Sequence, residues 1–448
     1  PIRQNEIDLI LCCARTRLDS DTIKNMNSLV QGEVDWENMV EIALEHRVMP
    51  LLYRNLKKFC PQAVPPGILE KLRTYFLINT GRNLALTTKL LELIQLFKGN
   101  GITAIPFKGP VLAESIYGDP ALRQFDDLDV LIHRNDAIKA FQLLLSYGYR
   151  PEVSIDAEQF KAYLKTENSL ALYTKDSEML VELHWEMTGR YTGYSFDLAH
   201  IENRLEMGTI SGGETRQLSP EDLLVYLCIH GSKDRWNHLD SICCVAELVR
   251  SRPDMKWVRV EHLAGEIHCR RMLDLGLFLA NHLLDAELPI HILERINIDP
   301  ELKIITLKIG KTLFPQFHRS SASRVNSDFS IFHMTLKDRI IDKLRHVFYL
   351  LFLPSRQDWR YFSLPVNLSF LYYPLRPARL AWESGSALVL WFVNTITVKN
   401  LTAEHRVRSE MITLNRHHDI CVRGELCGYL KKPPKDFESL FSNVVNHE

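Results

Sequence analysis

The stretch Arg123-Gln124-Phe125-Asp126-Asp127-Leu128-Asp129-Val130-Leu131-Ile132 decides how this chain reads. The apolar run from Leu128 to His133 predicts a strand, and Asp127 and Asp129 sit two apart at its start. Side chains alternate along a strand, so both carboxylates share one face while Leu128 and Val130 take the other. Two carboxylates side by side repel, and neither is buried cheaply without a counter-charge. A divalent cation removes that conflict, and hard oxygen ligands suit Mg²⁺. The plain alternative is a strand end with solvated acids, and Asp126 reads as a solvated loop acid in either case.

Upstream, Ile102–Phe107 predicts another strand, followed by Lys108-Gly109 and by Pro110 in the first turn of a helix reaching about Tyr117. Amides at such a helix start can receive an anion. Gly118-Asp119-Pro120 reads as a turn. Downstream, Asp136–Tyr147 predicts a helix closed by Gly148, and Leu170–Thr174 and Met179–Trp185 predict two more strands. Glu182, between Val181 and Leu183, is an acid in mid-strand, which is costly unless paired or metal-bound. His184 shares its face and could line a site, and Glu186 on that face is an alternative third acid. Residues 101–218 thus form an α/β core with the order strand, helix, strand, helix, strand, strand.

Helical regions flank this core. Within residues 1–100, Trp36–Phe59 carries a helical stripe broken near Pro50, and Ile68–Phe97 carries another that stops at Gly99-Asn100-Gly101. Within residues 219–395, Ser219-Pro220-Glu221-Asp222 is a helix start, with Ser as cap and acids in the first turn. Helices are expected at Leu223–His230, Leu239–Arg250, Val258–Ile267 and Arg271–Leu284, and one long helix over Ile331–Leu353. The prolines between Pro365 and Pro377 predict an extended strap carrying Tyr372, Tyr373, Arg376 and Arg379. Residues 396–448 form a polar tail whose His417, His418, Cys421 and Cys427 fit no standard zinc spacing.

The composition sets bounds. With Lys+Arg 54 against Asp+Glu 55, the net charge of -1 argues against a whole-chain nucleic-acid binder. Nine scattered cysteines in 448 residues exclude a small disulfide scaffold and suit a reducing compartment. The apolar run Ala387–Val393 is about a third of a membrane span. The first residues lack a basic segment and cleavage site of the secretory kind. A cytoplasmic, bacterial-type protein is expected.

Several pieces, taken together and in order, resemble a known family. They are Phe107-Lys108-Gly109-Pro110, Tyr117-Gly118-Asp119-Pro120, Arg123 with Asp127-Leu128-Asp129, Gly148-Tyr149, and Val181-Glu182-Leu183-His184-Trp185. Leu218–Leu224, Cys228–Trp236 and Leu371–Pro377 extend the likeness over roughly residues 35–380. The chain resembles uncharacterised bacterial nucleotidyltransferases of the DNA polymerase beta-like superfamily. That resemblance implies an α+β protein, with a small mixed sheet and helices as its catalytic core and mainly helical regions on either side. It implies transfer of a nucleoside monophosphate from an NTP to an acceptor, with release of pyrophosphate. Asp127 and Asp129 would be shared ligands of a two-ion Mg²⁺ site, and Glu182 the third acid. Lys108, Gly109 and Arg123 are candidates for the NTP phosphates. His230, Lys233 and Trp236, on adjacent turns of one helix, either face the site or pack between helices.

Two positions depart from the family pattern. Pro110 stands where the phosphate loop usually has Ser or Gly, and Cys244 where an acid is expected after Trp236. The expected acceptor is a small molecule, sugar or peptide. The alternatives are transfer to a protein or RNA, and a non-catalytic scaffold on the same fold.

Overall fold

The computed structural model describes residues 4–176, 179–189, 196–314, 331–362 and 364–384. The chain divides into two units, Pro1–Ala378 and Arg379–Glu448, and the second is described over residues 379–384. The readings of Ala387–Val393 and of the tail 396–448 lie outside the described residues.

Four helices open the chain: α1 (Gln4–Cys13), α2 (Ser20–Leu29), α3 (Trp36–Glu45) and α4 (Met49–Phe59). The expected break falls just ahead of Pro50, which occupies the first turn of α4, where a missing N–H costs nothing. Helix α5 (Pro66–Gly99) is the long helix that the periodicity predicts. Its buried stripe includes Leu86, Leu90, Leu93 and Phe97, but also Asn79 and Asn83.

These two asparagines hold the approach to the site. Asn83 Nδ2 donates to the carbonyls of Pro120 and Arg123, both at 2.7 Å, and Asn79 Nδ2 donates to that of Ala121 at 3.1 Å. Those carbonyls belong to a short 3₁₀ turn (Pro120–Leu122) and its flank, capped by Asp119, whose carboxylate accepts from the Ala121 N–H.

Five strands form one mixed sheet: β1 (Ala104–Pro106), β2 (Asp127–Ile132), β3 (Arg150–Pro151), β4 (Ser169–Tyr173) and β5 (Leu180–His184), in spatial order β1-β2-β5-β4-β3. Strands β2 and β5 run parallel, and the other pairs are antiparallel. The crossover between β2 and β5 carries α7 (Ala137–Ser146) and α8 (Ala157–Thr166). Short α6 (Pro110–Ser115) lies between β1 and β2.

One face of the sheet is apolar. Leu128, Val130, Ile132, Val181, Leu183, Leu170 and Leu172 are buried with Leu86, Leu90, Leu93, Phe97, Phe141 and Phe160. Each such side chain contributes about 1.5–3 kcal/mol, which fixes the register, because a slip by one residue would turn the acids into the core.

After α9 (Leu198–Ile201) and the hairpin β6 (Glu206–Ile210) and β7 (Gly213–Gln217), the chain is helical: α10 (Pro220–Lys233), α11 (Leu239–Ser251), α12 (Trp257–Glu266), α13 (Arg270–Leu284), α14 (Ile290–Ile298) and α15 (Pro300–Leu313). Ser219 caps α10 as its sequence predicts, accepting from the Asp222 N–H. No helix among the described residues is long and apolar enough to cross a membrane.

Two readings need correction. The single helix expected over Ile331–Leu353 is two, α16 (Ile331–Thr335) and α17 (Ile340–Phe352). The break frees Asp338 to cap α13, accepting from the N–H groups of Arg270 (2.8 Å) and Arg271 (3.1 Å). The proline-rich strap is not extended either. It follows α18 (Arg356–Tyr361) and consists of a 3₁₀ stretch (Val366–Leu371) and the first turns of α19 (Tyr372–Ser384). Pro374 falls in the first turn of α19, where no N–H partner is needed. Pro377 costs one helical hydrogen bond. Buried anchors offset that cost: Arg376 Nε donates to the Leu350 carbonyl (2.7 Å), and its Nη1 pairs with Asp358 (2.8 Å).

Candidate active site

The second face of the sheet carries the polar residues. Register sets Asp129 directly opposite Glu182, and Leu131 opposite His184, across the parallel β2–β5 pair. On the other side of β5, Ala171 and Ser169 stand opposite Glu182 and His184. Asp127, Asp129, Glu182 and His184 therefore share one face, backed by the apolar layer.

His184 Nε2 lies 2.9 Å from Asp129 Oδ1 and 3.1 Å from Glu182 Oε2, bridging the two acids. Lys108 Nζ donates to the same Asp129 Oδ1 at 3.0 Å. Asp129 is 2 % exposed, and its Oδ2 is buried with no hydrogen-bond partner among the described residues. One ligand atom each from Asp129, Glu182 and His184 lies within 4.8 Å of the others, so this group could hold a metal ion. Orphaned Oδ2 and a neighbouring carboxylate suit a hard divalent cation. The imidazole is the weaker match to Mg²⁺ and a good proton-holding bridge.

The charges explain one another. Burial raises the Asp129 carboxyl, but Lys108 and the His184 hydrogen bond outweigh it and hold it below its ordinary value. Glu182 is likewise held low against burial, by His184 and Arg356. His184 is raised despite burial, because both carboxylates accept from it. Asp127 behaves oppositely: the Asp129 charge and then burial push its carboxyl up to about 6. Two adjacent acids with values driven apart can divide proton-accepting and charge-holding roles.

Comparison with known proteins decides the class. The model of the family described as "Uncharacterised nucleotidyltransferase" matches residues 32–285. The chain belongs to this nucleotidyltransferase family. It is an enzyme of that class, and the family implies an NTP substrate and metal ions. Among solved structures, an antigenic nucleotidyltransferase-like protein from Paracoccidioides brasiliensis is similar at 19% identity, over 45% of this chain and 93% of that one, with a TM-score of 0.27. No curated protein matches.

The loops around this nucleotidyltransferase's acids are tightly built. Gly109 has φ +53, and a Cβ there would stand 3.2 Å from the Asp127 carbonyl oxygen, so the Lys108-Gly109 turn approaches β2 as only glycine permits. Phe107 meets His184 edge-on at 5.1 Å and Tyr226 of α10 at 5.3 Å. Lys108 Nζ lies over both the Phe107 and Tyr226 rings. His230 stacks on Tyr226 at 5.7 Å, on the Lys108 side, and burial followed by the Lys108 charge lowers it to about 3. Trp236 instead packs in the core, where Cβ atoms added at Gly231 or Gly276 would strike its ring. Lys233 is exposed, and its carbonyl accepts from His333.

Other expected residues stand apart. Arg123 has its guanidinium 5.9 Å from the Phe125 ring, and its Nε and Nη1 are buried without partners among the described residues. Its charge faces Cys244, Asp240 and Tyr117, and more weakly Asp127. Asp240, one turn before Cys244 on α11, is buried and faces the Arg123 charge. Glu186, beyond β5, is paired with Arg134 at 2.6 Å. Asp126 is half-exposed beside Arg82. Arg356 of α18, which sequence reasoning missed, donates to Glu182 Oε1 at 3.2 Å. It lies 174 residues from Glu182, and no local pattern marks it.

Proposed function

We propose that this enzyme moves a nucleoside monophosphate from an NTP to a hydroxyl or phosphate acceptor on a small molecule, sugar or peptide, releasing pyrophosphate. The observation that carries the reading is the buried, unpartnered Asp129 Oδ2 beside Glu182, within a family of nucleotidyltransferases. Asp129 and Glu182 would hold Mg²⁺, with Asp127 as the further carboxylate of a two-ion site. When bound, such ions activate the attacking oxygen and neutralise charge on the phosphates.

The chain's own groups do the rest. Asp127 shares the face of Asp129 and Glu182 and would add its carboxylate to theirs. Lys108, on Asp129 Oδ1, would offer its ammonium to the phosphates, and Gly109 would let the backbone come close. Arg123 adds a weaker positive charge felt at Asp127. A net charge of -1 favours a small acceptor over RNA.

The test follows pyrophosphate release from each NTP in the presence of Mg²⁺ and a lysate metabolite fraction. Release by the wild type and a loss of at least about a hundredfold in Asp129→Asn are expected. Undiminished release by Asp129→Asn refutes the assigned role.

A further inference from the structure

Arg356 sits well beyond residue 285, where the family match ends, yet its side chain reaches the site face. Its Nη1 donates to Glu182 Oε1 at 3.2 Å and its Nη2 to Ser169 Oγ. The guanidinium is not what holds its helix. Helix α18 is fixed by the Ser355–Asp358 capping box, by Arg376 on fully buried Asp358, and by Trp359, which packs on Tyr372 and donates to Thr166 Oγ1. The side chain is 29% exposed, so it is not sealed in the core.

This placement matters for charge. Asp127, Asp129 and Glu182 share the face with Lys108, His184 and Arg356, and the set is near balance without an ion. An NTP with its divalent ion still carries net negative charge and must be met by cations. An ion on Glu182 repels a guanidinium on the same carboxylate and weakens its hold. A planar fork so released matches phosphate oxygens.

We propose that Arg356 is a phosphate-binding residue of the nucleotide site, resting on Glu182 here and gripping the triphosphate, and then the leaving pyrophosphate, once an ion takes Glu182. Helix α18 would thus complete a site whose acids lie in the sheet. The proposal rests on the nucleotidyl-transfer reading.

The test is calorimetry on the full chain, with inorganic pyrophosphate and each of four NTPs as probes, all with Mg²⁺, and with Mg²⁺ alone. Arg356→Gln should weaken pyrophosphate and NTP binding about ten- to a hundredfold. It should leave binding of Mg²⁺ alone unchanged or tighter, because Glu182 is freed. Phosphate affinity within about twofold of wild type overturns the proposal. Should R356Q not fold, Arg356→Lys serves: loss of the fork lowers pyrophosphate affinity by roughly fivefold or more, and an unchanged affinity overturns the assignment. A wild type that binds neither pyrophosphate nor any NTP overturns the nucleotidyl-transfer reading as well, which separates the two failures.

Discussion

Replacing Lys108 by Met probes the charge balance of the site most sharply. Lys108 Nζ and Asp129 Oδ1 are 3.0 Å apart, with the carboxylate fully buried and the lysine side chain 12% exposed. At that distance the gross attraction is about 5 kcal/mol at an effective dielectric constant of about 20. Removing one member of a buried pair costs about 3–5 kcal/mol, because the other charge is left behind. His184 remains on the same oxygen, so the lower end applies, and Lys108→Met should lose about 3 kcal/mol. Urea unfolding reads this as a lower midpoint at unchanged slope. A divalent ion should restore part of the loss, since it supplies the charge that Lys108 no longer does. Saturating Mg²⁺ or Mn²⁺ is therefore expected to raise the midpoint of K108M more than that of the wild type. A midpoint unaltered by the substitution, or the same metal response in both proteins, refutes this reasoning.

Asn83→Ala should cost about 1–3 kcal/mol, because the Pro120 and Arg123 carbonyls lose a buried donor; a melting temperature equal to wild type contradicts the tether. His230 titrates well below its ordinary 6.5, at about 3. Between those values the unfolded chain binds a proton that the folded chain refuses, so stability falls as pH drops through that window. His230→Gln should flatten the fall in urea midpoint between about pH 6.5 and about pH 5, and a slope equal to wild type rules out this histidine as its source.

The sheet was legible because its signals are local. Apolar runs of strand length, Gly-rich turns and a two-residue spacing of acids place β2 and β5 and put Asp127 and Asp129 on one face. Pairing supplies what spacing cannot. It sets Asp129 opposite Glu182, and it brings His184 from the rim of the expected site to the bridge between two acids. Asn79 and Asn83 look like flaws in an apolar stripe until the turn they bind is in place. The break at 336–339 exists because Asp338 caps a distant helix, and the proline-rich strap is helical because Arg376 and Tyr372 are anchored from outside it. Arg356 belongs to the same class, since its meaning comes from a strand 174 residues away.

The central claim is that Asp129 and Glu182 hold a divalent ion on the polar face of the sheet. Crystals soaked with Mn²⁺ and a non-hydrolysable NTP test it most directly through anomalous scattering. The account predicts a peak about 2.1 Å from Asp129 Oδ2 and from a Glu182 oxygen, with phosphate oxygens beside it. A peak elsewhere with those two carboxylates still bridged by His184, or an ordered nucleotide remote from them, would contradict it.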